Sequence, residues 1–165
     1  MRIMRSSRAI WILATAFLAL YLASINNEIS PIPDSTAYLL LAESLITGQG
    51  YSSIYHVGNS PHATYPFVFP VILAPLVGLF GRILWLSKGL IALFAFASVV
   101  LCYRLFKGRV GHEKALVIAA LTGLHPIFGN YAHAILTEVP FLCFTLLFFM
   151  SVEKYDRNER AFSMA

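Results

Sequence analysis

The sequence predicts an all-helical integral membrane protein, and three observations support that fold class. The 165 residues are 58% hydrophobic and only 12% charged. In a water-soluble domain about 45–50% of the residues are hydrophobic and about 25% are charged. The apolar residues are gathered in long runs. The few basic residues lie beside those runs and do not alternate with exposed aromatic residues, as nucleic-acid binders require. The composition therefore excludes a disordered chain and a disulfide scaffold, and we expect no nucleic-acid partner.

Four of the five apolar runs are predicted to cross the membrane. A helix needs roughly 20 residues to span about 30 Å of hydrocarbon. The predicted spans are residues 9–25, 83–103, 115–134 and 139–152. The fifth run, Tyr65 to Phe80, contains Pro66, Pro70 and Pro75, and each proline removes a backbone donor. That favours a re-entrant or interfacial segment packed on protein over a lipid-exposed span.

The distribution of Lys and Arg selects four spans over five. If all five runs crossed, five of the twelve basic residues would face the cytoplasm, whereas with four spans ten of the twelve do. Cytoplasmic loops carry the excess of Lys and Arg. We therefore expect a multi-pass protein of the plasma (inner) membrane with a cytoplasmic N-terminus and an external loop over residues 26–82. A cleavable signal peptide is the alternative for the first 24 residues, but their 17-residue apolar run exceeds the usual h-region of about 7 to 15.

The external loop is predicted to contain a short helix. Ala37, Leu41 and Leu45 recur at helical spacing and are followed by Gly48, which favours an amphipathic helix over residues 35–47 lying along the membrane interface. Asp34 precedes that helix and is a favoured N-cap residue. The same position holds a carboxylate in fixed geometry, as a general base requires. Both interpretations of Asp34 stay open on local sequence.

Glu138 is the second informative acid. It follows Thr137 at the start of the last predicted span, where Thr137 serves as a cap and an acid is favourable against the helix dipole. In the selected topology Glu138 lies at the outer face together with Asp34, which is 104 residues earlier in the chain. Each acid thus has a structural interpretation at a helix end and a functional one as half of a two-carboxylate site.

The histidines and cysteines indicate no comparable chemistry. His125 and His133 are eight residues apart, which is not a metal-ligand spacing, so we expect no metal site. Cys102 and Cys143 lie inside apolar runs without a neighbouring histidine or a CxxC partner, so we expect no thiol nucleophile. The sequence has neither a glycine-rich phosphate loop nor a G-x-S-x-G elbow.

The order of these features resembles the N-terminal part of the GT-C class of membrane glycosyltransferases. Within that class it is most similar to the dolichyl-phosphate-mannose protein mannosyltransferase-like and aminoarabinose-transferase-like families. The residues that carry the resemblance are, in chain order, Pro33-Asp34, Tyr38, Ala42, Leu45, Gly48, Gly50, Tyr51, Tyr65-Pro66, Phe69-Pro70, Leu79-Phe80-Gly81, Arg104, Ala115 to Pro126 and Thr137-Glu138-Val-Pro140-Phe141. Each motif is short, and the ordered series covers nearly the whole chain.

The resemblance implies transfer of a sugar from a polyprenyl-phosphate-linked donor to a glycan, lipid or protein acceptor on the outer face of the membrane. It gives Asp34 the role of general base, and it implies that Glu138 positions the acceptor or the donor head group. Tyr38, His62 and Tyr65 are implied as substrate-binding residues. Because no second acid follows Asp34, a metal-chelating pair is absent, and neither a divalent metal nor another cofactor is implied.

Two further expectations follow from the resemblance. Members of this class are longer and have more spans, so we expect residues 1–165 to be an N-terminal fragment without transferase activity when isolated. Arg82 and Lys88 are the only cations predicted on the outer side, although a donor phosphate needs positive charge beside it. The alternative function is a non-catalytic multi-span membrane protein or subunit, in which Asp34 and Glu138 only stabilise helix ends.

Overall fold

A computed structural model of the protein shows six helices among the residues that it describes. It describes residues 2–29, 32–54, 58, 60–126, 130–131 and 134–163, with side chains between residues 8 and 156 of those ranges. The helices are α1 (Arg2–Ser24), α2 (Pro33–Ile46), α3 (Val68–Phe80), α4 (Leu84–Val110), α5 (His112–Leu124) and α6 (Glu138–Ser163). The described chain is thus all-helical, as the sequence predicts.

Local sequence explains where several helices begin and end. α2 begins at Pro33, because the fixed φ of proline suits the first helical position and its missing N–H is not needed there. α3 ends before Gly81, whose φ is 74°, and α4 ends before Gly111, whose φ is 84°. Side chains with a Cβ rarely adopt this left-handed conformation, so the two glycines permit the sharp exits from both helices.

Helix α4 lies at the centre of the packing and contacts α1, α5 and α6. The small residues Ala92, Ala95 and Ser98 of α4 are fully buried, and small side chains let neighbouring helices approach closely. The α1–α5 contact is closed by a hydrogen bond of 2.7 Å from the Tyr21 hydroxyl to the carbonyl oxygen of Gly123. α2 packs mainly against α3, which in turn contacts α4.

Helix α6 runs alongside α4 in the same direction. Phe94 in the first half of α4 packs on Phe144 near the start of α6, with ring centroids 5.7 Å apart. Towards the other end, Arg109 of α4 forms an ion pair with Glu153 of α6. Glu138, the first residue of α6, therefore lies toward the end of the molecule where α4 begins.

A buried lysine attaches the segment after α1 to the start of α4. Lys88 is 3% exposed. Its Nζ donates to the carbonyl oxygen of Asn26 at 3.0 Å, to Asn26 Oδ1 at 2.6 Å and to the carbonyl oxygen of Glu28 at 2.6 Å. An ammonium group has three protons to donate, so these three acceptors satisfy it. The C-terminal end of α1 is thereby fixed beside the N-terminal end of α4.

The prediction of four transmembrane helices is wrong. Among the described helices only α4, with 27 residues, is long and apolar enough to cross a membrane. α5 has 13 residues and at 1.5 Å per residue is about 20 Å long, short of the roughly 30 Å required. The apolar part of α1, Arg8–Ser24, is also below that length, and α6 continues from an apolar half into a charged one. The composition of α4 suits a membrane span and equally a buried core helix.

The predicted amphipathic character of the helix in the 26–82 region is also wrong. The helix expected over residues 35–47 is present as α2, but Ser35, Tyr38 and Leu39 are all buried, so the helix has buried side chains on more than one face. Such a helix is packed within protein and does not have the expected single apolar face. The run expected to be re-entrant or interfacial forms α3, which buries Leu73 and Val77 in the main core and packs on α2.

Candidate functional site

Asp34 is fixed by a contact with a residue of a different segment. It lies in the first turn of α2, and the N-cap of that helix is Ile32, so the predicted capping role of Asp34 is wrong. With Pro33 at the first helical position, the helix starts two residues earlier than expected. The Oδ1 atom of Asp34 accepts a hydrogen bond of 2.7 Å from the Tyr65 hydroxyl. The half-buried carboxylate is therefore held both by its helix and by Tyr65.

Tyr65 is itself held through its backbone and its ring. Its N–H donates to Nε2 of His62 at 3.1 Å, and its carbonyl oxygen accepts from the Tyr51 hydroxyl at 2.8 Å. The Tyr65 ring stacks on the His62 ring with centroids 5.3 Å apart and an interplanar angle of 10°. These contacts fix the direction in which the Tyr65 hydroxyl points, and hence its approach to Asp34.

The His62 ring is held in turn by the loop that precedes it. Nδ1 of His62 lies 2.7 Å from the Ser53 hydroxyl oxygen, and the ring meets Tyr51 edge-on. The loop is closed by a hydrogen bond of 2.9 Å from the His62 N–H to the Tyr51 carbonyl oxygen and by a single bridge between Ser52 and Pro61. The segment between α2 and α3 is thus built around the His62 ring.

Tyr38 lies between the two acids that the sequence singles out. It is 4% exposed, and its ring packs 5.0 Å from that of Tyr65. Its hydroxyl is 3.4 Å from Thr137 Oγ1. Burial raises the pKa of Tyr38, the hydrogen bond with Thr137 lowers it, and the negative charges of Asp34 and Glu138 raise it further. Both carboxylates are therefore near enough to the Tyr38 phenol to act on it electrostatically.

Glu138 is the exposed first residue of α6 and directly follows Thr137, as predicted. The structure therefore joins by contact four of the five residues that the resemblance assigned to the site, namely Asp34, Tyr38, His62 and Tyr65. Glu138, the fifth, directly follows Thr137, which contacts Tyr38. Sequence reasoning missed the contribution of Ser53 and Tyr51, and it treated Thr137 only as a helix cap. Serine and tyrosine are frequent in this loop, and no spacing in the sequence marks which of them contact His62.

An apolar groove of about 620 Å³ opens beside Glu138, between the start of α3 and the start of α6. Its walls are Pro66, Val68, Phe69, Ile72, Thr137, Glu138, Pro140, Phe141 and Phe144. Glu138 and Thr137 supply the polar part of an otherwise apolar lining. A second cavity of about 500 Å³ is bordered by Tyr65 and by Pro33, Thr36, Ala37 and Leu40 of α2. Glu138 thus lines a groove with space for a ligand that has an apolar portion, and the Tyr65 side chain that contacts Asp34 lines a second cavity.

The cations predicted near the site are engaged elsewhere. Arg82 pairs with Glu43 at 3.4 Å, and the Lys88 ammonium is enclosed by Asn26 and Glu28. Within the described ranges, no three His, Cys, Asp or Glu side chains are grouped as metal ligands would be. His125 is exposed at the end of α5, while His133 lies outside the described residues.

Comparison of the chain with protein-family models, with curated protein sequences and with solved structures returned no match. The family resemblance drawn from the ordered motifs therefore remains a prediction, and the function is argued from the site.

Proposed function

We propose that this protein is a membrane glycosyltransferase module. It transfers a sugar from a polyprenyl-phosphate-linked donor to a glycan, lipid or protein acceptor on the outer face of the membrane, with Asp34 as general base. The observation that carries this proposal is the series of contacts that links the segments of the two acids, which are 104 residues apart: Tyr65 donates to Asp34, the Tyr38 ring packs on Tyr65, and the Tyr38 hydroxyl contacts Thr137 beside Glu138. One carboxylate held by a hydrogen bond and a second in an apolar groove suit the activation of a hydroxyl or amine group on an amphiphilic substrate.

In the proposed reaction the acceptor attacks the anomeric carbon of the donor sugar. As the new bond forms, Asp34 takes the proton from the acceptor atom, and the bond between the sugar and the phosphate oxygen breaks. The electron pair of that bond leaves with the polyprenyl phosphate. Glu138 holds a second polar group of the acceptor or the donor head group, and Tyr38 and Tyr65 border the bound substrate.

The groove beside Glu138 supports a substrate with a lipid portion. Its apolar walls, formed by residues such as Phe69, Phe141 and Phe144, favour burial of hydrocarbon. The Glu138 carboxylate and the Thr137 hydroxyl then lie beside the polar head. The cations that would neutralise a donor phosphate are not supplied by Arg82 or Lys88, whose charges are already paired or enclosed.

The orientation we propose places the acid site on the outer side of a plasma (inner) membrane and the C-terminal end of α4 on its cytoplasmic side. Arg104, Lys107 and Arg109 lie toward the C-terminal end of α4, and the acid site lies toward its N-terminal end. Cytoplasmic flanks carry the excess of basic residues, so the basic end is assigned to the inside. Because the end of α1 is fixed at the start of α4 by Lys88, α1 begins toward the basic end.

The test is sugar transfer by membranes that contain the native gene product, comparing Asp34→Asn and Glu138→Gln with the wild type. We expect Asp34→Asn to lower kcat by about 10²- to 10⁴-fold, as loss of a general base does. Glu113→Gln, an exposed acid at the start of α5, is the matched control and should transfer normally. Retained transfer by Asp34→Asn would remove Asp34 from the mechanism. Labelling of a cysteine at position 108 by an impermeant reagent from outside would refute the orientation.

The alternative is a non-catalytic membrane protein or subunit. The hydrogen bond from Tyr65 to Asp34 favours it, because that contact gives the carboxylate a purely structural use. In that case wild-type membranes show no transfer that depends on this protein, and Asp34→Asn lowers only its stability. The same set of variants therefore separates the two functions.

A further inference from the structure

Both ring nitrogens of His62 are engaged by the protein. Nε2 lies 3.1 Å from the Tyr65 backbone nitrogen, whose only hydrogen-bonding role is to donate, so Nε2 is the acceptor. A neutral imidazole with an acceptor at Nε2 carries its proton on Nδ1. Nδ1 then donates to the Ser53 hydroxyl oxygen, 2.7 Å away. The hydrogen bonds therefore require the Nδ1–H tautomer.

We infer that His62 is a positioning residue: in its Nδ1–H tautomer it fixes the Tyr65 peptide and ring, so that the Tyr65 hydroxyl holds the Asp34 carboxylate in one orientation. The inference rests on the proposed function for its catalytic consequence, since it takes Asp34 as the general base. It gives His62 a role in the site that requires no contact with substrate.

Two contacts transmit the position of His62 to Asp34. The hydrogen bond to Nε2 fixes the backbone N–H of Tyr65. The stacking of the two rings, whose centroids are 5.3 Å apart, fixes the Tyr65 side chain. The Tyr65 hydroxyl then reaches Asp34 Oδ1 at 2.7 Å. A general base must be within hydrogen-bond reach of the proton it takes, and a displacement of about 1 Å can cost about a hundredfold in rate. Release of Tyr65 would therefore reduce transfer even though His62 touches no reacting atom.

The geometry also distinguishes His62 from a histidine that binds substrate. A histidine that binds substrate needs one ring nitrogen directed at it, whereas here one nitrogen faces Ser53 and the other faces the Tyr65 peptide. Tyr65 stacks on one face of the His62 ring, and Tyr51 meets the ring at a right angle. Both ring nitrogens of His62 thus form their hydrogen bonds within the loop.

The first experiment needs no activity. The full chain is labelled with ¹⁵N-histidine and reconstituted in lipid nanodiscs. NMR then measures the chemical shifts of the two imidazole nitrogens of His62, which report the tautomer. We expect the Nδ1–H tautomer, and an Nε2–H tautomer would overturn the inference. Hydrogen exchange at the Tyr65 amide should be about tenfold faster in His62→Ala. It should be restored in His62→Gln, whose side-chain carbonyl can accept the same bond; equal exchange in wild type and His62→Ala would also overturn it.

The second experiment uses transfer by membranes that contain the native gene product. His62→Ala should lower kcat on the order of tenfold to a hundredfold with little change in KM, and His62→Gln should keep most of the wild-type rate. A rise in KM with unchanged kcat in His62→Ala would show substrate binding and overturn the positioning role. If the wild type shows no transfer, the proposed function fails, while the tautomer and the exchange at Tyr65 still decide whether His62 positions Tyr65.

Discussion

Asp34 and Tyr65 are 31 residues apart in the chain, and the Tyr65 hydroxyl donates a hydrogen bond of 2.7 Å to Asp34 Oδ1. The bond joins the first turn of α2 to the residue that leads into α3. It thereby links the acid that the proposed mechanism uses to the loop built around His62. The strength of this link is accessible by mutation.

A double-mutant cycle should measure the coupling between these two residues. A hydrogen bond to a charged group contributes about 1.5–3 kcal/mol, and the half-buried position of Asp34 makes the lower part of that range the expectation. Tyr65→Phe, Asp34→Ala and the double variant are compared with wild type by chemical unfolding in detergent micelles. We expect a coupling of about 1.5 kcal/mol. Strictly additive losses would show that the bond contributes nothing to stability.

Tyr38 should make stability fall in alkali. Because burial first, and then the charges of Asp34 and Glu138, raise its pKa above 10.0 in the folded state, the folded chain keeps the phenol proton to higher pH than the unfolded chain does. The contribution is fully present below the unfolded pKa and is lost as pH rises through the folded pKa. Phenolate absorbance and unfolding free energy, each followed against pH, check this.

Two variants serve as controls for Tyr38. Tyr38→Phe should remove the contribution of Tyr38 to the loss of stability in alkali. Glu138→Gln should lower the pKa of Tyr38 toward that of free tyrosine. An unchanged Tyr38 titration in Glu138→Gln would show that the Glu138 charge does not act on the phenol.

Ser35 and Ser44 form a matched pair on α2. Both are buried, but in the described part of the chain the Ser35 hydroxyl has no hydrogen-bond partner. The Ser44 hydroxyl contacts the Gly50 carbonyl oxygen at 2.8 Å and Ser52 Oγ at 2.9 Å. Removing a buried unpaired polar group relieves its desolvation cost, so Ser35→Ala should stabilise by about 1 kcal/mol, whereas Ser44→Ala should destabilise by about 1–2 kcal/mol. Thermal unfolding compares them, and equal shifts of the same sign would contradict the assignment.

Gly123 should be intolerant of a side chain because α1 and α5 approach closely there. A Cβ at this position would lie 2.6 Å from Cε2 of the buried Phe17 ring. Overpacking of this kind costs about 1–3 kcal/mol. Gly108→Ala is the control: it lies in α4 with nothing within 4 Å of the added atom and should stabilise by about 0.5–1 kcal/mol. Denaturation midpoints distinguish the two, and a neutral Gly123→Ala would contradict the packing.

The acids of the candidate site could be predicted, but their partners could not. Asp34 follows a proline at a helix start and Glu138 follows Thr137 at another, and both signals are local. That Tyr65 contacts Asp34 and that Tyr38 contacts Thr137 depends on where α2, α3 and α6 lie relative to one another. The same holds for Lys88, which sequence reasoning placed among external cations and which the fold buries against Asn26 and Glu28.

The sequence by itself determined the apolar character, the helical class and the end of α2, because composition and glycine act through the local backbone. Gly48, whose φ is 74°, lies just beyond the end of α2, as predicted, whereas the helix begins at Pro33, before the predicted start. Only the tertiary structure decided that a single described helix, α4, has the length and composition of a membrane span. An apolar run in the sequence shows the composition of a segment, whereas a membrane span also requires an unbroken helix of sufficient length. It also decided that Tyr65 contacts both Asp34 and His62 and that Tyr38 contacts both Tyr65 and Thr137, because contacts between distant residues depend on helix packing and cannot be predicted from the sequence pattern.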